Sequence, residues 1–204
     1  AKRSAHAAPL AASWSEGYLD PDNDIEVEAY EEMANDETKV SWFREAISRR
    51  LRGTSGHVVL EIGTGPFCLL ALLAGHAGAR KVYAIEASPS AARQARACVK
   101  QAESQNYVPV GVVEVMEGLS TDITLPEKAD LLVSEIVGNV ATAEGIIGTY
   151  HDAKARHLKR PHDPASYIPQ RVQTWCAPAS FLVSSVVRPP YSLGDFANAH
   201  EESP

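Results

Sequence analysis

The chain has 204 residues, 45% of them hydrophobic, and a formal net charge of −7. That is enough apolar material for one full α/β domain plus a remainder. The acidic balance argues against general nucleic-acid binding and suits a cationic partner.

No apolar run reaches membrane-spanning length, and no signal-peptide pattern opens the chain. Cys68, Cys98 and Cys176 are scattered and form no CxxC pair. A metal site is not expected, and a reducing compartment, cytoplasmic or nuclear, is. Residues 1–24 begin Ala- and Ser-rich and end in the acidic turn GYLDPDND, which reads as a flexible tail. A helical segment covers residues 25–56. In it Tyr30, Met33, Val40, Phe43 and Ile47 recur at helical steps. The spacing predicts a break near Asn35, with Asp36 capping the second piece.

From residue 57 to 158 strands and helices alternate. The strand HVVLEI (57–62) leads through Gly63-Thr64-Gly65 into a helix over 67–76. A second strand, KVYAIE (81–86), ends in an acid and precedes an Ala-rich helix over 89–102. A third strand is expected over 108–116, a polar connection over 119–128, a fourth strand over 129–134 and a helix over 143–158. His151 and His157 on that helix read as surface groups. This alternation implies a parallel, doubly wound sheet. Beyond it, residues 165–177 and 181–187 read as β, with Val172-Gln173-Thr174-Trp175 alternating.

Strand, GxG turn, helix, strand, acid is the pattern of a nucleoside-binding domain, with Glu86 spaced to reach a ribose diol. A dinucleotide site wants a third glycine, and Cys68 stands there. Pro66 removes an N–H that a pyrophosphate would use at the helix start. S-adenosylmethionine (SAM) has no phosphate and tolerates both. Glu61, just before the turn, adds an acid near the ligand's ammonium.

The fourth strand ends at Glu135, and Glu144 follows nine residues later, just before a helix. Two acids on a loop at the C-terminal edge of a parallel sheet can grip guanidinium, a planar cation with five donors. Each is also ordinary by itself, since a glutamate suits a helix N-terminus.

Taken together, the segments YEEMANDETKVSWFREAI, VVLEIGTG, AGARKVYAIEAS, LPEKADLLVSEIVG, the acid of AEG, HLKR and IPQRV resemble the protein arginine methyltransferases over residues 30–179. The resemblance implies a Rossmann-like SAM-dependent methyltransferase domain over 57–169 and the start of a C-terminal β-barrel over 170–204. Glu135 and Glu144 would hold the substrate guanidinium. The cofactor-binding set would be Tyr30, Met33, Lys39, Glu61, Gly63, Gly65, Glu86, Ala87, Ser120 and Thr121. Within it Glu86 would take the ribose hydroxyls, and Ser120 and Thr121 would lie near the adenine. Lys39 stands where the family usually has an Arg for the SAM carboxylate. Met33 is closer to asymmetric dimethylating members, whereas Lys39, SEIVG and CAPAS are closer to symmetric ones. The product type stays open. The family's Thr-His-Trp segment is not found in this chain. Implied partners are an arginine-containing protein or peptide substrate and, in the full-length form, a second copy; the product cofactor would be S-adenosylhomocysteine. Two other readings remain beside this one: a methyltransferase for a non-arginine acceptor, and a non-catalytic SAM-binding or interaction module.

Overall fold

A computed structural model describes residues 27–54, 56–138 and 144–178. The chain divides into two units at Gln173. In the first, helix α1 (Val27–Asn35) and helix α2 (Glu37–Leu51) are separated by one residue. Asp36 causes the break: its side chain accepts the backbone N–H of Lys39 at 3.0 Å, so the α2 N-terminus is capped where one continuous helix would have left no end. The interruption sets the first turn of α2, and with it Lys39, at the edge of the sheet described next.

That sheet has five parallel strands: β1 (Val58–Ile62), β2 (Lys81–Glu86), β3 (Val113–Glu117), β4 (Leu131–Ser134) and β5 (Tyr167–Ile168), in the order β3-β2-β1-β4-β5. Between them run α3 (Leu69–His76), α4 (Pro89–Ser104) and α5 (Ile146–Arg156). Strand β1 is central, and all five of its residues are buried. A strand covered on both faces must be apolar throughout, which is why VVLEI reads as a continuous run broken only by Glu61.

Period-two alternation assigns the faces. Val59, Val82, Ala84, Leu131 and Val133 belong to one core cluster with residues of α2, α3 and α4. Val58, Leu60, Ile62, Tyr83, Ile85 and Leu132 belong to a second with Ala153 of α5 and Leu158. Each fully buried Leu or Ile here contributes about 1.5–3 kcal/mol. By the same parity Glu61 and Glu86 fall on the α2–α4 face, and Glu135, just past β4, continues it.

Several boundaries differ from expectation. Strand β3 begins at Val113, because the backbone turns at Pro109 to Val112 and Gly111 takes φ +77°. Helix α3 begins at Leu69, because Cys68 adopts a left-handed φ of 52°. Pro66 therefore lies in the preceding turn and is not a first-turn helical proline. His157 is 2% exposed, not a surface group, and its ring faces the Ser120 carbonyl at 3.2 Å. Of the expected β segment over 165–177, only Tyr167 and Ile168 pair, with Leu132 and Val133. Residues 170–178 form no strand. Alternation signals a strand only where a neighbouring strand accepts its hydrogen bonds, and none does among the described residues. The segment 181–187, most of the expected barrel start and the tail 1–24 lie outside the described residues.

Candidate active site

In a doubly wound sheet the ligand crevice opens where strand order reverses, here between β1 and β4 at their C-terminal ends. A cleft of about 470 Å³ lies there. Its lining includes Tyr30, Met33, Lys39, Glu61, Gly63, Gly65, Glu86, Glu135 and Glu144 from the sequence-expected set. Three of that set are not brought to it. Ala87 is exposed beside the end of β2. Ser120 is buried, and its carbonyl accepts from Arg156 at 2.6 Å, which ties the connection after β3 to α5. Thr121 is exposed and donates to Asp122 at 3.3 Å.

The floor is the turn after β1. Gly63 and Gly65 have φ of +76° and +64°. A Cβ on Gly63 would stand 2.6 Å from Cγ2 of Ile136, and one on Gly65 would stand 3.1 Å from the Tyr30 ring. Both the backbone conformation and the space therefore require glycine. The Gly63 and Thr64 N–H groups donate to the Ile85 carbonyl at 2.9 and 3.1 Å, binding the turn to β2. Glu86 completes this bracket. Its two carboxylate oxygens accept the N–H of Gly65 and of Ser88, each at 2.8 Å. A carboxylate so held still has lone pairs for two further donors.

Glu61 lines the cleft and also holds the turn in place. It is 2% exposed, and its Oε2 accepts the Thr64 hydroxyl and the Ala71 N–H, the latter at 3.0 Å. Burial pushes its carboxyl up to about 7, against the pull of the Thr64, Ala71 and Leu70 donors. It braces the turn against α3 from below.

The opposite wall is less enclosed. Lys39 Nζ lies 3.1 Å from Glu135 Oε2, with side chains 34% and 23% exposed. Ser134, the last residue of β4, donates its hydroxyl to the Ile62 carbonyl at 2.7 Å, and so fixes where Glu135 leaves the sheet. Glu144 is exposed just before α5. Burial raises the Tyr30 phenol, and the carboxylates of Glu86 and Glu144 raise it further, so the phenol stays a neutral donor set between the two acids. Sequence reasoning missed Ala34, Val40, Phe43, Thr64, Phe67, Leu69, Leu70 and Ile136 as lining residues. All but Thr64 are apolar and look like core; for Phe43 the α2 stripe was visible, but its second duty was not. Among the described residues the lining offers four acidic side chains and one cation. It can hold a ligand with several hydrogen-bond donors at the floor and a second cation at the wall. Among the described residues no cluster of His, Cys, Asp and Glu could hold a metal, and no helix is long and apolar enough to cross a membrane.

The chain is similar to known protein arginine methyltransferases. It is 33% identical over 174 residues to protein arginine N-methyltransferase PRMT10 of Arabidopsis thaliana, covering 84% of this chain and 43% of that protein. It is 34% identical over 170 residues to protein arginine N-methyltransferase 6 of Danio rerio, covering 83% and 46%. The crystal structure of Arabidopsis thaliana protein arginine methyltransferase 10, described as a uniquely open conformation, superposes with a TM-score of 0.55 at 37% identity, covering 64% of this chain and 35% of that one. The Trypanosoma brucei PRMT1 enzyme–prozyme heterotetrameric complex with S-adenosylhomocysteine superposes with a TM-score of 0.57 at 29% identity, covering 68% and 40%. No family model matches. The chain spans less than half the length of the curated relatives it matches.

Proposed function

We propose that this chain, which belongs to the protein arginine methyltransferase family, binds S-adenosylmethionine in the cleft and directs methyl transfer to an arginine of a protein or peptide. One observation carries the reading: Glu135 and Glu144 open into the same cleft as the Gly63–Gly65 turn and Glu86.

The residues present fit the cofactor. Gly63 and Gly65 hold the turn in a left-handed conformation with Ile136 and Tyr30 closing over it, and Glu86 is already aimed by two backbone donors. Glu86 would take the ribose hydroxyls, Gly63 and Gly65 the methionine end, and Lys39 its carboxylate. When bound, the cofactor supplies an electrophilic methyl on a sulfonium.

The chain's own residues supply the rest. A guanidinium nitrogen is a poor nucleophile, because its lone pair is delocalised and the group is protonated at neutral pH. Glu135 and Glu144 accept N–H bonds from the nitrogens that do not react, hold positive charge there and aim the remaining nitrogen. Tyr30, Met33 and Phe43 line the same space and restrict water. No strong base is required, because the nitrogen sheds its proton more readily as it is alkylated.

The test is methyl incorporation by the full-length protein into an arginine-rich peptide and into the same peptide with lysine at every arginine. Label in the arginine peptide alone supports the reading. Equal label in both makes arginine the wrong acceptor.

A further inference from the structure

Glu135 leaves the sheet between two anchors, and both reach the end of β1. Before it, Ser134 is fully buried, pairs across from Ile62, and donates its hydroxyl to the Ile62 carbonyl at 2.7 Å. After it, Ile136 closes over Gly63, the very next residue of β1's chain. A Cβ on Gly63 would stand 2.6 Å from Ile136 Cγ2, so that methyl already takes up the space a side chain there would need. One anchor is polar and the other apolar. The Glu135 carboxylate itself lies at the half-open wall, 3.1 Å from Lys39 Nζ.

We propose that Ile136 is a positioning residue for methyl transfer: its Cγ2 methyl, seated over Gly63, fixes how far Glu135 stands from the turn that holds the cofactor. The inference rests on the proposed function and adds to that site a residue that acts through Glu135.

The argument is one of register. An in-line displacement needs the reacting atoms about 3–3.5 Å apart and aligned, and a misplacement of about 1 Å costs about 10²-fold in rate. The guanidinium takes its place from Glu135, on the chain leaving β4. The cofactor takes its place from Gly63, Gly65 and Glu86, on the chain around β1 and β2. Whatever keeps these two in register must cross from β4 to β1. The strand ladder does so as far as Ser134 and Ile62, where the pairing ends. A segment tied only at Ser134 swings about that residue. Ile136 ties its other end, and it does so on Gly63 itself. Gly63 thus has a second reason to lack a side chain, beyond its φ of +76°. The contact is specific to one atom: a methyl drawn back by 0.5–1 Å forfeits a quarter to a half of its dispersion attraction.

The experiment compares three variants of the full-length protein, with an arginine-rich peptide as acceptor and the cofactor at saturation. Ile136→Val keeps the Cγ2 methyl and loses only Cδ1. Ile136→Leu keeps the carbon count but has no branch at Cβ, and swaps of this kind leave the fold in place. Ile136→Ala removes both γ carbons. The Leu and Ala variants should lower kcat by about 10- to 100-fold, with calorimetric affinity for S-adenosylhomocysteine unchanged, and the Val variant should retain most of the rate. Parental kcat in the Leu and Ala variants overturns the proposal. So does an equal loss in all three, which would make bulk and not the Cγ2 methyl the requirement. A loss that saturating cofactor restores also overturns it, since Ile136 would then be a wall of the cofactor site. No label in the peptide with the unmodified protein overturns the arginine-acceptor reading itself, which separates that failure from a failure of positioning alone.

Discussion

The floor and the wall of the cleft are built by different means. On the floor, Glu61 and Glu86 are each held by two neutral donors: Thr64 of the turn and Ala71 of α3 for one, Gly65 of the turn and Ser88 at the start of α4 for the other. On the wall, Glu135 is held by one half-exposed ammonium. Donors built into the turn and the helix starts keep their direction whether or not a ligand is present, whereas an ammonium on a long flexible stem can change partners. The contrast teaches that one part of the site is shaped before anything binds and the other is completed by what binds.

The sharpest way to separate the two parts is to neutralise the wall. Glu135→Gln or Glu144→Gln should lower the methyl-transfer rate by about 10²–10³, the usual cost of one preorganised charge contact. Cofactor affinity measured alongside should hold. A variant that transfers at near the parental rate would return both acids to the surface.

Next in size is the floor's own titration. Glu61 ionises at about 7 in the folded protein against 4.5 for the free side chain, with burial the chief cause. A carboxyl raised in the folded state favours folding while protonated. Its contribution, about 3 kcal/mol by linkage, is complete below pH 4.5 and is lost as pH rises to about 7. Urea unfolding of wild type and Glu61→Gln across that window checks it: the variant should gain relative to wild type as pH rises. Parallel curves would mean that Glu61 is ionised throughout.

Smaller again, Glu86→Ala should weaken cofactor binding by roughly 10- to 100-fold, from the loss of charge-assisted hydrogen bonds. Unchanged calorimetric affinity would remove Glu86 from the floor. The smallest effect tests what carries Lys39. Asp36→Ala removes the α2 cap and should cost about 1 kcal/mol, a fall of roughly 2–4 °C in Tm. No change in Tm would show that tertiary packing, not the cap, holds this helix end.

Legibility in the sequence followed the same division. Strand β2 runs over the residues expected, Lys81–Glu86, because a short apolar run closed by an acid has few other readings. The GTG turn was legible because its φ values exclude most residues, and Asp36 because a cap is local chemistry. Strand β3 was drawn too long because Val108 is buried without being paired, and apolar character reports burial before it reports hydrogen bonding. Ser120 and Thr121 do not line the described cleft, and Arg156, from another element, ties that connection to α5. Ile136 was illegible as a site residue, since nothing local says that its methyl fills the space above Gly63. The Lys39–Glu135 pair joins segments that no periodicity connects.

Strand β1 is flanked by β2, its near neighbour in sequence, and by β4, whose contacts with it, Val58 to Asp130 and Ser134 to Ile62, each span 72 residues. Closing a loop of that length is entropically the slower event. During synthesis the GTG turn and Glu86 can meet as soon as β2 has emerged, but Glu135 joins them only after the chain has grown past β4. A cofactor that needs both sides of the crevice has nothing complete to bind before then. It can stabilise the finished domain by mass action, yet it arrives too late to guide the chain toward it.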